Sequence, residues 1–145
     1  MAASFWLFKS EPETYSFDQL VEDKKTNWDH VRNYQARNFL RQVKKNDFAI
    51  IYHSGGDKSA VGIAQCVREA YPDIDPEGGD WVQIDLKPIE KFETPVTLST
   101  IKTTPSLKDI SLIKQSRLSC MSISANHFQI LKKLGSKPAK KVTKK

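Results

Sequence analysis

Apolar positions along this chain switch between the period of a strand and that of a helix. Near the N-terminus, Phe5 to Lys9 has the aromatic and aliphatic make-up of a strand, and Pro12 stops it, because proline lacks a ladder donor and restricts the residue before it. Ser16 followed three positions later by Gln19 has the form of a capping box and predicts a short helix through Leu20 and Val21, with a polar loop over Asp23 to Asn27. Ala36, Phe39, Leu40 and Val43 recur at i, i+3, i+4 and i+7, which predicts a helix from Tyr34 to Val43 with Asn33 as its N-cap. Arg37 and Arg41, four apart, then share a face beside that apolar stripe.

Asp47 to His53 and the residues through Val67 flank the turn cluster SGGDKS and predict a β-hairpin whose first strand ends at His53 and Ser54. Trp81 to Phe92 places Val82, Ile84 and Leu86 at period two, a further strand, with Pro88 marking its bend or its end. Pro95 to Lys114 reads as a connection carrying one or two brief helices, Ser106 being a cap candidate. Arg117 to Ile123 alternates as a short strand, and Ser124 caps a last helix with Phe128, Leu131 and Leu134 on one face and Gly135 at its end. Strands with interspersed helices predict an α+β or small-barrel domain over residues 1–135.

Charge changes the picture at one end. The net charge is +6, but residues 136–145 hold five lysines and no acid, so everything before them carries about +1. A global basic field is absent, and residues 136–145 read as a basic, disordered tail that either aids solubility or tethers phosphates. The 145 residues contain no apolar run long enough to span a membrane and no secretory leader pattern, so a soluble monomer is expected, cytoplasmic in a bacterium or nuclear in a eukaryote. Cys66 and Cys120 lie in apolar contexts and suit reduced core thiols.

Classical catalytic patterns are missing. The three histidines, His30, His53 and His127, have no metal-ligand spacing with cysteine or carboxylate, and neither a nucleophile elbow nor a phosphate-binding loop occurs, Gly55-Gly56 fitting a plain turn. No metal or cofactor is expected. Lys9, Ser10 and Glu11 are three reactive groups in a row at a strand end, where alternation sends Lys9 and Glu11 one way and Ser10 the other; a surface ion pair explains Lys9 beside Glu11 equally well. WDHVRNYQARNFLR (28–41) gathers three arginines, two asparagines and three aromatic rings, an unusual density of flat, hydrogen-bonding side chains.

Taken together, FWLFKSEPETYSFDQL (5–20), WDHVRNYQARNFLR, FAIIYHS (48–54), VGIAQC (61–66), AYPD (70–73), WVQIDLKPIEKFETPVTL (81–98) and SRLS (116–119) resemble the EVE domain family from about Phe5 to Phe128. The resemblance implies a PUA-like fold, a curved, partly closed β-barrel flanked by short helices, and a non-enzymatic role as a nucleic-acid-binding domain. Such a domain would take a modified base, a cytosine or adenine derivative extruded from DNA or RNA, into a pocket. Matched block by block, the pocket would be formed by Lys9, Ser10, Glu11, Trp28, Val31, Arg32, Asn33, His53 and Ser54, with Arg37, Arg41, Arg117 and Ser119 at the rim or on phosphates. The chain departs from the commonest family pattern at Asp29-His30 and in SRLSCM, both at the pocket rim.

A flipped base is a flat π-surface with a hydrogen-bonding edge, so an aromatic wall such as Trp28 and in-plane polar groups such as Ser10 and Asn33 meet its needs. Trp28 as a plain core residue and Asn33 as a plain cap are the competing readings. Two other functions stay open: a small hydrolase of modified nucleosides, as in the related ASCH group, with Lys9 and Glu11 as its working groups, and a protein-interaction module.

Overall fold

Strand β1 (Phe5–Ser10) sits inside the sheet, paired in parallel with β3 (Phe48–His53) and antiparallel with β6 (Cys120–Ile123). In this computed structural model, which describes residues 4–29, 31, 33–54, 58–114 and 118–136, β4 (Ser59–Pro72), β5 (Val82–Thr97) and β2 (Thr26–Trp28) complete one mixed sheet of order β2-β5-β4-β3-β1-β6. Helix α2 (Tyr34–Gln42) packs against both β5 and β6. In a flat sheet those strands would stand four spacings apart, about 19 Å, beyond the width of about 10–12 Å of a single helix. The sheet therefore curls around α2, giving the α+β, PUA-like architecture of a barrel that is only partly closed, with β2 and β6 as its two edges.

Local sequence explains most of the elements. Ser16 Oγ accepts from the Gln19 amide and opens α1 (Phe17–Asp23), while Asn33 Oδ1 accepts from the Ala36 amide at 2.9 Å and opens α2. Ser124 caps α5 (Ala125–Gly135) through the His127 amide. Phe8, Leu7, Phe17, Leu20, Leu40, Ile50, Ile51, Ile84, Leu86 and Ile101 form the fully buried centre of the core. One buried carboxylate fixes the β1 end of that core: Asp47 accepts from the Trp6 indole N–H at 3.0 Å and from the amides of Ser4 and Lys44. Both cysteines are unpaired and buried, and burial pushes the Cys66 thiol up to about 11 and the Cys120 thiol to about 12, in keeping with reduced core thiols.

Three expectations need correction. The loop over Asp23 to Asn27 gives way at Thr26 to β2, whose Trp28 pairs with Ile84; three polar-flanked residues carry no period, and only their partner makes them a strand. Pro88 lies within β5, which runs on past Pro95 to Thr97, because the register with β4 slips between Ile63 and Ala64 and again between Ala60 and Gly62. The cap of α3 (Leu98–Thr103) is Thr97, whereas Ser106 lies within a single 3-10 turn (Pro105–Leu107) that leads to α4 (Ser111–Lys114). Gly135 ends α5 as expected, and a Cβ there would overlap the Phe92 ring, so close packing selects the glycine.

Candidate functional site

Three segments far apart in sequence converge at the C-terminal end of β1. Extended alternation stops at Ser10, and the chain turns back on itself, with the amides of Thr14 and Tyr15 both donating to the Glu11 carbonyl at 2.9 and 2.8 Å. Lys9, Ser10 and Glu11 all line one cleft at this point. Edge strand β2 supplies Thr26, Asn27 and Trp28, followed by Asp29 and Val31, and Ser119 approaches from the other flank, its carbonyl accepting from the Lys9 amide at 2.8 Å. Together they line an open cleft of about 470 Å³, within the size range of small-molecule sites, about 300–1,000 Å³.

One wall is aromatic. Trp28 is half-buried, tilted against Phe8 with centroids 5.8 Å apart and meeting Tyr15 edge to face at 6.4 Å and 88°. Phe8 and Tyr15 thus hold the indole in place while part of it stays open to the cleft. Tyr15 donates its hydroxyl to Asp23 Oδ2 at 2.7 Å, and burial, the largest cause, raises its pKa. The sequence offered no individual signal for Tyr15, Thr14, Thr26 or Asn27, though the first two lie in the KSEPETY block.

The polar groups have defined hydrogen-bonding characters. Ser10 Oγ spends its one proton on the Tyr15 carbonyl, so it presents lone pairs only and serves as an acceptor. Asn27 donates to Asp29 and to Gln83, which aims its carbonyl oxygen away from those partners as a further acceptor. Lys9 is half-buried, and its pKa is lowered first by burial and then by the positive charge of Lys58. Among the described residues no group of three or more His, Cys, Asp or Glu is gathered as a metal would require.

The remaining site expectations fall in several places. Arg32 and Arg117, like His30, Gly55-Gly56 and residues 137–145, lie outside the described residues. Asn33 is exposed and its side-chain oxygen is committed to capping α2, so it does not line the cleft. His53 pairs with Ser10 across β1 and β3, but its ring turns toward α1, where Nε2 accepts from the Phe17 amide at 3.1 Å; burial lowers its pKa and keeps the acceptor nitrogen unprotonated. Ser54 lines a neighbouring groove instead. Arg37 stacks over Tyr34 and Trp81, at 5.0 and 5.8 Å, and Arg41 pairs with Asp80 at 2.8 Å.

The EVE domain family model matches residues 4–134. Human thymocyte nuclear protein 1 is 31% identical over 93% of this chain and 75% of its own length. A solved structure from Rhodopseudomonas palustris superposes with a TM-score of 0.85 at 39% identity, covering 92% of this chain and 93% of that one. Human THYN1 protein, solved in complex with 5-methylcytosine-containing DNA, superposes with a TM-score of 0.86 at 30% identity over 93% of this chain and 99% of that one. An ASCH structure from Zymomonas mobilis, at a TM-score of 0.63 and 15% identity, shares the fold alone.

Proposed function

The chain belongs to the EVE domain family, and from that footing we propose that it reads a modified base, a cytosine or adenine derivative, extruded from DNA into the cleft beside Trp28. The observation that carries this reading is the half-open indole, braced by Phe8 and Tyr15, above a rim of polar groups drawn from three segments. A base slipped against that face gains roughly 1 to 3 kcal/mol of stacking. The rim then selects. Ser10 and Asn27 offer acceptors, and the groups they match are the exocyclic amines of cytosine and adenine. The 5-methylcytosine-containing DNA held by the human THYN1 protein supports DNA as the partner and a methylated cytosine as the first base to try.

The domain acts as a monomeric binder, with the lysines of residues 136–145 tethering phosphates. Among the described residues no helix is long and apolar enough to cross a membrane. Its place of work is the nucleus in a eukaryote and the cytoplasm in a bacterium.

A direct trial is fluorescence anisotropy with duplexes that differ in one base, carrying cytosine, 5-methylcytosine, adenine or a methylated adenine. The wild-type protein should prefer one modified duplex, and Trp28→Ala should lose roughly 1 to 3 kcal/mol of that binding. Equal binding of every duplex would reject base reading.

Lys9 gives a hydrolase its one specific support, because a lysine of lowered pKa shares the cleft with Glu11. Incubation with acylated and methylated nucleosides, followed by mass spectrometry, separates the two. Product that disappears in Lys9→Ala would establish the hydrolase; an unchanged panel supports the reader.

A further inference from the structure

A second groove, of about 380 Å³, lies on Lys9, which lines it as well as the cleft. Its other walls are Ser54, Lys58 and Lys102 over an apolar floor of Tyr52, Leu98, Leu112 and Ile113. Among the described residues, three lysines line this groove and no carboxylate does, on a body whose overall charge is close to neutral. Their convergence is built in by the backbone. Lys9 pairs with Tyr52, the Ser54 amide donates to the Ser10 carbonyl at 3.0 Å, and the Leu98 amide donates to the Lys58 carbonyl at 3.0 Å, which brings Lys58 beside the start of the short helix carrying Lys102.

Like charges gathered over apolar side chains repel one another, and Lys58 already depresses the Lys9 pKa. An anion in the groove removes that repulsion, and the apolar floor strengthens its attraction to the lysines by lowering the local dielectric. We propose that this groove seats a phosphodiester of the nucleic-acid strand next to the extruded base, held by Lys58, Lys102 and the Ser54 hydroxyl, while Lys9 stands at the junction between base and backbone. The proposal rests on the base-reading function. A nucleotide whose base fills the first cleft carries its phosphates to either side, and the second groove is the cationic depression that shares Lys9 with that cleft. Tyr52, Leu98 and Leu112 would meet the adjoining sugar.

The experiment compares wild type with the Lys58→Gln/Lys102→Gln double variant on the preferred modified duplex and its unmodified twin, over a range of salt concentrations. Both lysines are exposed on the surface, so the variant retains the core. The expected result is a roughly tenfold loss of affinity for both duplexes, with the modified-to-unmodified ratio unchanged and the log–log salt slope shallower by about 0.9. A neutral methylphosphonate linkage beside the modified base should reproduce the loss in wild type and add nothing in the variant, whereas the same linkage elsewhere should add to it. Unchanged affinity and slope in the variant, with wild type still discriminating, would overturn the groove and leave the base reading standing. A methylphosphonate effect independent of position would overturn it too, as the mark of a diffuse field. A lysine-dependent gain for the free nucleoside monophosphate over the nucleoside, without any such gain for the duplex, would reassign the groove to free nucleotides. Failure of wild type to discriminate between the duplexes would remove the base reading, and this seat with it.

Discussion

Tyr15 meets the Trp28 indole edge to face, with ring centroids 6.4 Å apart and planes at 88°. One ring comes from the turn after β1 and the other from an edge strand, so the contact ties together the two segments that flank α1. A T-shaped pair of this kind contributes about 0.5 to 1.5 kcal/mol beyond its buried area.

Tyr15→Ala should therefore release the indole and weaken binding of the preferred duplex by about 1 kcal/mol. Tyr15→Phe keeps the ring and loses only the hydroxyl's bonds to Asp23 and Thr26, so it should bind close to wild type. Paired anisotropy titrations of the two variants check the difference.

His53 predicts a pH dependence of stability. Its folded pKa lies below the ordinary 6.5 because burial disfavours the charged ring, so the unfolded chain takes up the proton first. Stability is full above about pH 6.5 and falls as pH drops from there toward the lower folded value. His53→Gln keeps an acceptor for the Phe17 amide without titrating, and thermal melts should show it losing less stability than wild type between about pH 7 and pH 5.

Asp47→Ala leaves the buried Trp6 indole N–H and two backbone amides without their acceptor. The expected cost is about 2 to 4 kcal/mol in urea unfolding, since each stranded buried group costs about 1 to 3 kcal/mol and the two amides lie nearer solvent. Asp47→Asn retains one oxygen and should cost less.

Gly135→Ala sets two effects against each other. Alanine improves on glycine in a helix by up to about 1 kcal/mol, but the new Cβ overlaps Phe92, and overpacking of this kind costs about 1 to 3 kcal/mol. Packing should win, giving a less stable protein, and adding Phe92→Leu should recover part of the loss. Denaturant melts of wild type and the two variants check the ordering.

Much of the fold was legible because its signals are local. Ser16, Asn33 and Ser124 cap the helices their spacing predicts, and the apolar runs of β1, β3 and β5 lie where their composition predicts strands. What escaped depends on partners distant in sequence. Thr26 to Trp28 is a strand only because β5 lies beside it, and Pro88 is tolerated only because the β4 register slips opposite it. The site divides in the same way. The KSEP block and Trp28 converge, but the side chains of His53 and Asn33 are taken by helix N-termini. Tyr15 could not be singled out, since the turn that brings it to Trp28 is set by backbone bonds to Glu11.

The most direct test follows the three tryptophan indole N–H signals by 1H–15N NMR while the modified duplex is added. Trp28 should shift progressively and saturate together with binding, more with the modified than with the unmodified duplex, while Trp6, bonded to Asp47 inside the core, should stay in place as the reference. Saturable binding of the modified duplex with an unmoved Trp28 signal would place recognition elsewhere on the protein and contradict the cleft as the seat of the base.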